Sequence, residues 1–293
     1  MQWNSTALTT TFVSSTQLKA AVQASLIAAP GTASITVLMA GSTTPAERFT
    51  ITVPSLSLSA PSTSSPTQNS NVSLTMNSAV TTELTGTLAL SFEADSSDAN
   101  TPSGYQNPNL VFVSTGTTTI PFTIAAKSKT ATLGSNGAIQ QGTVAGIITV
   151  TMTSLLAGTA NVLPQPAPTA TIHVDRLAPV IEAGSVKILN LTSTGFDVEL
   201  NAFSTSREIQ EASFAFTGAS GGTLSGETSF QVSFSSSAAS YFGGSTGLKN
   251  GGNFGLTVHF TYSGDTSVIS GGSVAVTVSN SVGTSSEVTG GTD

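Results

Sequence analysis

Short runs in which every second residue is apolar recur along this chain, and serine or threonine often fills the places between them. Side chains alternate faces along an extended strand, so a period of two marks strands with one buried face. Val72-Leu74-Met76, Leu88-Leu90-Phe92, Ile120-Phe122-Ile124, Ile148-Val150-Met152 and Ala170-Ile172-Val174 form one series. Val186-Ile188, Phe196-Val198-Leu200, Phe214-Phe216, Phe230-Val232-Phe234, Phe254-Leu256-Val258-Phe260 and Val274-Val276-Val278 form another. Glycine and proline punctuate the runs, as turns between short strands require. Such a chain folds all-β, and its phenylalanines place the heaviest core after residue 176.

The runs group into three segments. Residues 1–53 carry Leu18-Ala20-Val22, Ile35-Val37 and Phe49-Ile51-Val53, with a single helical turn at Ala24–Ile27 closed by Pro30-Gly31. Pro54 stops the last of these strands, because proline cannot continue a central ladder. Residues 54–175 open on a Ser/Thr-rich stretch punctuated by Pro54, Pro61 and Pro66, and residues 176–293 follow a junction spanning Pro164–Pro179. Proline at both junctions limits bending between modules. A short helix is expected at Ser235–Tyr241.

Composition narrows the function. Charged residues make up 8% of the chain and the net charge is −7, from 8 Lys+Arg against 15 Asp+Glu. The basic residues are scattered, Lys127 and Lys129 being the densest pair, so the phosphate contacts of a nucleic-acid binder are not expected. No apolar run approaches the roughly 20 residues of a membrane-spanning helix. The first residues lack both the basic and the apolar parts of a signal peptide. The absence of cysteine excludes disulfides, thiolate metal sites and cysteine nucleophiles.

Residues 1–53 resemble the second half of an IPT/TIG-type immunoglobulin-like domain of bacterial secreted and surface proteins. The resemblance rests on Met1–Leu8 (Met-Gln-Trp-Asn-x-Thr-Ala-Leu), Thr16–Ile27 and Gly31–Val37. Gln23 stands where that family usually has proline, and the family's Asn-Pro-Gly turn is missing near Ala40–Ser42. The later segments resemble the β-sandwich modules that accompany such repeats in secreted proteins of soil bacteria. The resemblance implies tandem immunoglobulin-like or fibronectin-III-like β-sandwiches, the first incomplete: 1–53, 54–175 and 176–293. Met1 stands where valine is typical and the strands before Trp3-Asn4 are missing. The expectation is an open sheet edge that upstream sequence, or a strand from another chain, would cover.

Candidate chemistry is sparse. Glu93, Asp95 and Asp98, with Asn100, offer the oxygen ligands that Ca²⁺ prefers, but the spacing fits no EF-hand or repeat-type loop. The plainer reading is a solvated loop with Asx turns. His173 and His259 sit on the outward phase of their strands, and no spacing brings them to carboxylates as a metal site would need. Trp3, Tyr105, Tyr241 and Tyr262 are spread over all three segments rather than set in a row for sugar stacking. Arg207-Glu208 reads as a charged loop pair. The sequons at Asn4, Asn71 and Asn190 are explained by the abundance of serine and threonine.

No residue is assigned to catalysis. The expected role is a non-catalytic extracellular or cell-surface structural and adhesive array, serving as spacer or interaction region through protein–protein contacts. One alternative is a filament subunit assembled by strand complementation, with Val282–Val288 as donor. Another is a carbohydrate-binding appendage of a larger secreted enzyme, with a glycan as partner.

Overall fold

The computed structural model describes residues 1–27, 31–51 and 55–292. Pro30, Val53 and Pro54, used above to bound the first segment, lie outside the described residues. The fold is mostly β-strand with a few short helices, an all-β chain as the alternation predicts. It divides into two compact units: Met1–Leu56 with Met76–Ser78, and Ser57–Thr75 with Ala79–Asp293.

The first unit is built on an antiparallel sheet ordered Thr6–Ala7, Gln2–Trp3, Gly31–Thr36, Glu47–Ile51. Asn4 and Ser5 both have positive φ between the paired residues Trp3 and Thr6, the signature of a two-residue type I′ hairpin. Ala40 and Gly41 repeat this turn between Met39 and Ser42, where the Asn-Pro-Gly of the resembling family is missing. A single 3₁₀ turn occupies Ala24–Ile27, where one helical turn is expected. Trp3 is 4% exposed and packs on Phe49 with ring centroids 5.4 Å apart. Of this unit's described apolar side chains before residue 52, only Trp3 and Ala33 are fully buried. Phe12, Leu38, Met39 and Phe49 are about half exposed or more, Phe12 at 72%.

The second unit holds two larger sheets. The first runs Thr63–Ser64, Thr169–Val174, Gly146–Ala157, Leu84–Ala94, Thr119–Ile124, Thr132–Leu133. Its alternation is faithful: Leu88, Leu90 and Phe92 are buried opposite Met152, Val150 and Ile148 on the neighbouring strand. Gly86, inside the strand Leu84–Ala94, lacks a side chain for a steric reason. A Cβ there would lie 2.4 Å from both the Phe122 ring and the Ser154 carbonyl.

The second sheet is ordered Val180–Ile181, Gly195–Phe203, Lys187–Leu189, Val288–Thr292, Ser273–Ser279, Glu211–Thr217, Ser229–Ser233, with Asn253–Thr261 also paired to Gly195–Phe203. It curls until its far strands meet. Phe260 of Asn253–Thr261 lies 5.4 Å from Phe230 of Ser229–Ser233, and 5.2 and 4.9 Å from Phe214 and Phe216. Phe196 stacks on Phe260 at 5.8 Å. Tilted and edge-to-face pairs of this kind add to the area term of each ring. The expected helix appears as α1, Ser235–Gly243, followed by α2, Ser245–Asn250.

The tail stretch Val282–Val288 reaches the sheet's regular strands only at its last residue. The tail's regular strand is Val288–Thr292, parallel to Lys187–Leu189 on one side and antiparallel to Ser273–Ser279 on the other. Both of its edges are occupied. Gly290 permits this, since a Cβ there would fall 1.8 Å from the Val186 carbonyl oxygen.

Two outcomes are expected in chemical denaturation and hydrogen exchange. Phe260→Ala removes the ring that touches four others and lowers stability by about 3–5 kcal/mol, whereas exposed Phe12→Ala changes it by less than ~0.5 kcal/mol. Gly290→Val expels the tail strand, seen as fast amide exchange over residues 288–292.

Candidate functional site

The polar residues singled out in the sequence fall into two places in the second unit. The first is a buried junction between its two large sheets. The turn Ser204-Thr205-Ser206-Arg207 follows the strand Gly195–Phe203, and all four residues are buried. Arg207 is 0% exposed, which corrects its reading as half of a charged loop pair. Its guanidinium carbon lies 4.8 Å from the centre of the Tyr105 ring and 5.8 Å from that of Phe242, so the cation sits against two π faces. Nη2 donates to the Phe242 carbonyl, while Nε and Nη1 have no protein acceptor.

Backbone and side-chain hydrogen bonds stitch the same junction. Ala145 N donates to Thr205 O at 2.9 Å, Gly252 N to Thr143 Oγ1 at 2.9 Å, and Ser204 N to Gly252 O at 2.9 Å. Asn100 Nδ2 donates to the Arg207 carbonyl at 2.9 Å, and Tyr105 OH to Leu248 O at 3.2 Å. Gly252 allows the close approach, because a Cβ would meet Thr143 O at 2.3 Å and Ser204 O at 2.5 Å. Buried Asn280 donates to Leu177 O at 2.8 Å and to Ser206 Oγ at 3.0 Å, and Leu177 N donates to Thr205 Oγ1 at 2.7 Å. The end of the Pro164–Pro179 stretch is thereby tied to the junction.

The calcium candidates belong to this neighbourhood but do not converge. Glu93 is exposed; Asp95 caps the Ser97 amide at 2.8 Å. Asp98 is buried, accepting from Asn100 N at 3.0 Å and from the Thr101 hydroxyl. These are Asx turns. Among the described residues no group of three His, Asp or Glu side chains is placed to hold a metal. Hydrogen bonds from the Ser97 side chain and backbone hold the Asp95 carboxyl below the usual carboxylate value. Burial pushes Asp98 up, and the Thr101 and Asn100 bonds and the Arg207 charge only partly oppose it.

Both histidines point outward and each bonds an aspartate: His173 Nδ1 to Asp175 at 2.8 Å and His259 Nδ1 to Asp197 at 2.7 Å. Asn190 Nδ2 donates to the other Asp197 oxygen at 2.8 Å. The Gly-x-Ser-x-Gly pattern of hydrolase nucleophiles occurs twice, at residues 218–222 and 243–247. The first is a turn and the second links α1 to α2, so neither has the strand-to-helix setting of that motif. No hydrogen bond joins Ser220 or Ser245 to a histidine among the described residues.

The second place is a cleft beside α1. An apolar hollow of about 130 Å³ is walled by Phe234, Ala238, Tyr241, Phe242, Phe254 and Leu256. A larger hollow of about 490 Å³ shares Tyr241 and Phe254 with it and is rimmed by Thr67, Glu182, Asn201, Asn250 and Asn253. The sheet register sets this rim: Glu182 follows Ile181, which pairs with Ala202, and Asn201 pairs with Gly255. Tyr241 OH donates to Asn253 O and accepts from Asn250 Nδ2, both at 2.9 Å, which pins the ring in place. Tyr105 and Tyr241 thus have different surroundings, one in the buried junction and one at the mouth of a cleft.

The chain matches no protein-family model, and comparison with curated proteins finds no relative.

Two measurements check the junction. Arg207→Ala lowers unfolding stability by about 2–5 kcal/mol, because it leaves a cavity between the Tyr105 and Phe242 rings and strips the Phe242 carbonyl of its donor. Asp98 binds its proton more tightly folded than unfolded. Its contribution is therefore full below the ordinary carboxylate pKa and declines as pH rises through the raised folded value. Asp98→Asn flattens that part of the stability–pH curve.

Proposed function

We propose that this chain is a non-catalytic structural and adhesive array of immunoglobulin-like β-sandwich modules, acting as a spacer or interaction region of a secreted or surface-held bacterial protein. The supporting observation is the Arg207 junction. It makes residues 57–75 and 79–293 one compact unit rather than beads on a flexible string, as an element that bears tension or sets a distance requires. Residues 1–53 fit this reading as an IPT/TIG-like element, and serine- and threonine-lined strand faces keep a surface of low charge hydrated. The scattered titratable groups favour a binding or spacing role over a reaction, since catalysis needs nucleophile, base and charge stabiliser to converge. No membrane span enters the reading, and no helix among the described residues is long and apolar enough to form one.

A second reading, self-association into a filament, draws on exposed Phe12, Leu38, Met39 and Phe49 in the first unit. Strand donation would draw on Val282–Val288, of which only Val288 belongs to the paired strand Val288–Thr292.

Sedimentation velocity over a wide concentration range separates the two. The spacer reading expects a monomer throughout. A concentration-dependent series of polymers, abolished by Phe12→Ser with Met39→Ser, overturns it in favour of the filament.

A further inference from the structure

The cleft at Tyr241 has the chemistry of a ligand site. Its larger hollow falls within the roughly 300–1,000 Å³ range of small-ligand sites, with an apolar wall and a few polar groups at the mouth. The rim offers amides from Asn201, Asn250 and Asn253, the Thr67 side chain and a single carboxylate, Glu182, and no lysine or arginine lines it. A carboxylate without a cation repels anions. Amides and a carboxylate together both donate to and accept from hydroxyl groups, which match neighbouring hydroxyls of a sugar. Tyr241, held at its hydroxyl end, presents a ring to both hollows. The smaller hollow beside it is walled by aromatic and aliphatic carbon and has room for a group of a few heavy atoms. A side chain at Gly255 would stand on the same strand face as Asn201 and Asn253, its Cβ 3.5 Å from Asn201 Oδ1 on the rim.

We infer that this cleft binds a neutral saccharide carrying N-acetyl groups. The hydroxyls lie along the Glu182–Asn201–Asn253 rim, a sugar face packs on Tyr241, and an acetamido methyl fills the smaller hollow. This rests on the adhesive part of the function proposed above and supplies its ligand class. It fails separately, because the spacer reading is decided by sedimentation and this one by titration.

The experiment is a titration of the full chain with chitohexaose and with cellohexaose, which share a backbone linkage and differ in the acetamido group, followed by amide chemical-shift mapping. Chitohexaose is expected to move the signals of residues 182, 201, 250 and 253 and to bind about tenfold or more tightly than cellohexaose. Tyr241→Ala is expected to weaken it by about tenfold or more, equivalent to ~1.4 kcal/mol. Since Tyr241→Ala also removes bonds that order α1, Gly255→Val is the second variant. It adds a β-branched side chain that suits an extended strand and crowds the Asn201 amide on the rim. Unchanged chitohexaose binding by a folded Gly255→Val protein overturns the proposal. Equal affinity for both sugars removes the acetamido assignment, and the absence of shifts with either sugar rejects the site.

Discussion

A single buried cation organises the larger unit. Placing the Arg207 guanidinium out of water carries a large desolvation penalty, and a cation so placed must find compensation within the protein. Here the compensation comes from both sides of a junction: the Tyr105 ring and the Asp98 loop on one, the Phe242 ring and carbonyl on the other. Because the partners come from elements that follow different sheets, the cation meets both rings only when both sheets are docked. The surrounding bonds through Thr143, Ser204, Thr205, Gly252 and Asn280 then lie in a region closed to competing water.

Two glycines at close backbone approaches in this unit serve the same end. Gly252 lets two backbone segments touch inside the junction, and Gly290 lets the tail lie against the stretch around Val186. In a chain with 28 glycines, position rather than abundance carries the information.

Most strands were legible in the sequence because a half-buried strand writes its two faces as an alternation. Leu88-Leu90-Phe92 and Phe254 to Phe260 illustrate this, and the α1 helix and the Ala24–Ile27 turn were legible from breaks in that alternation. Arg207 was not. A charged residue in a loop is normally solvated, and its burial depends on Tyr105 and Phe242, which are 102 and 35 residues away in the chain. The Tyr241 cleft was only partly legible. The tyrosine stood out as a polar-handled aromatic, but Glu182, Asn201 and Asn253 join it through strand register, which local pattern does not encode. The tail strand was obscured for a related reason. Val288–Thr292 is rich in glycine and lacks alternation, and its pairing is fixed by the two edges it enters.

That inserted strand bears on the order of assembly. Lys187–Leu189 and Ser273–Ser279 are not neighbours until residues 288–292 lie between them, and Lys187 pairs with Gly291 more than a hundred positions later. Until then the sheet is two separate pieces, each with a bare edge able to capture another chain. Closing so long a loop is slow compared with forming the local hairpins. Val288–Thr292 pairs with Ser273–Ser279 as a local hairpin, so its docking along Lys187–Leu189 is the slow closure that joins the two pieces.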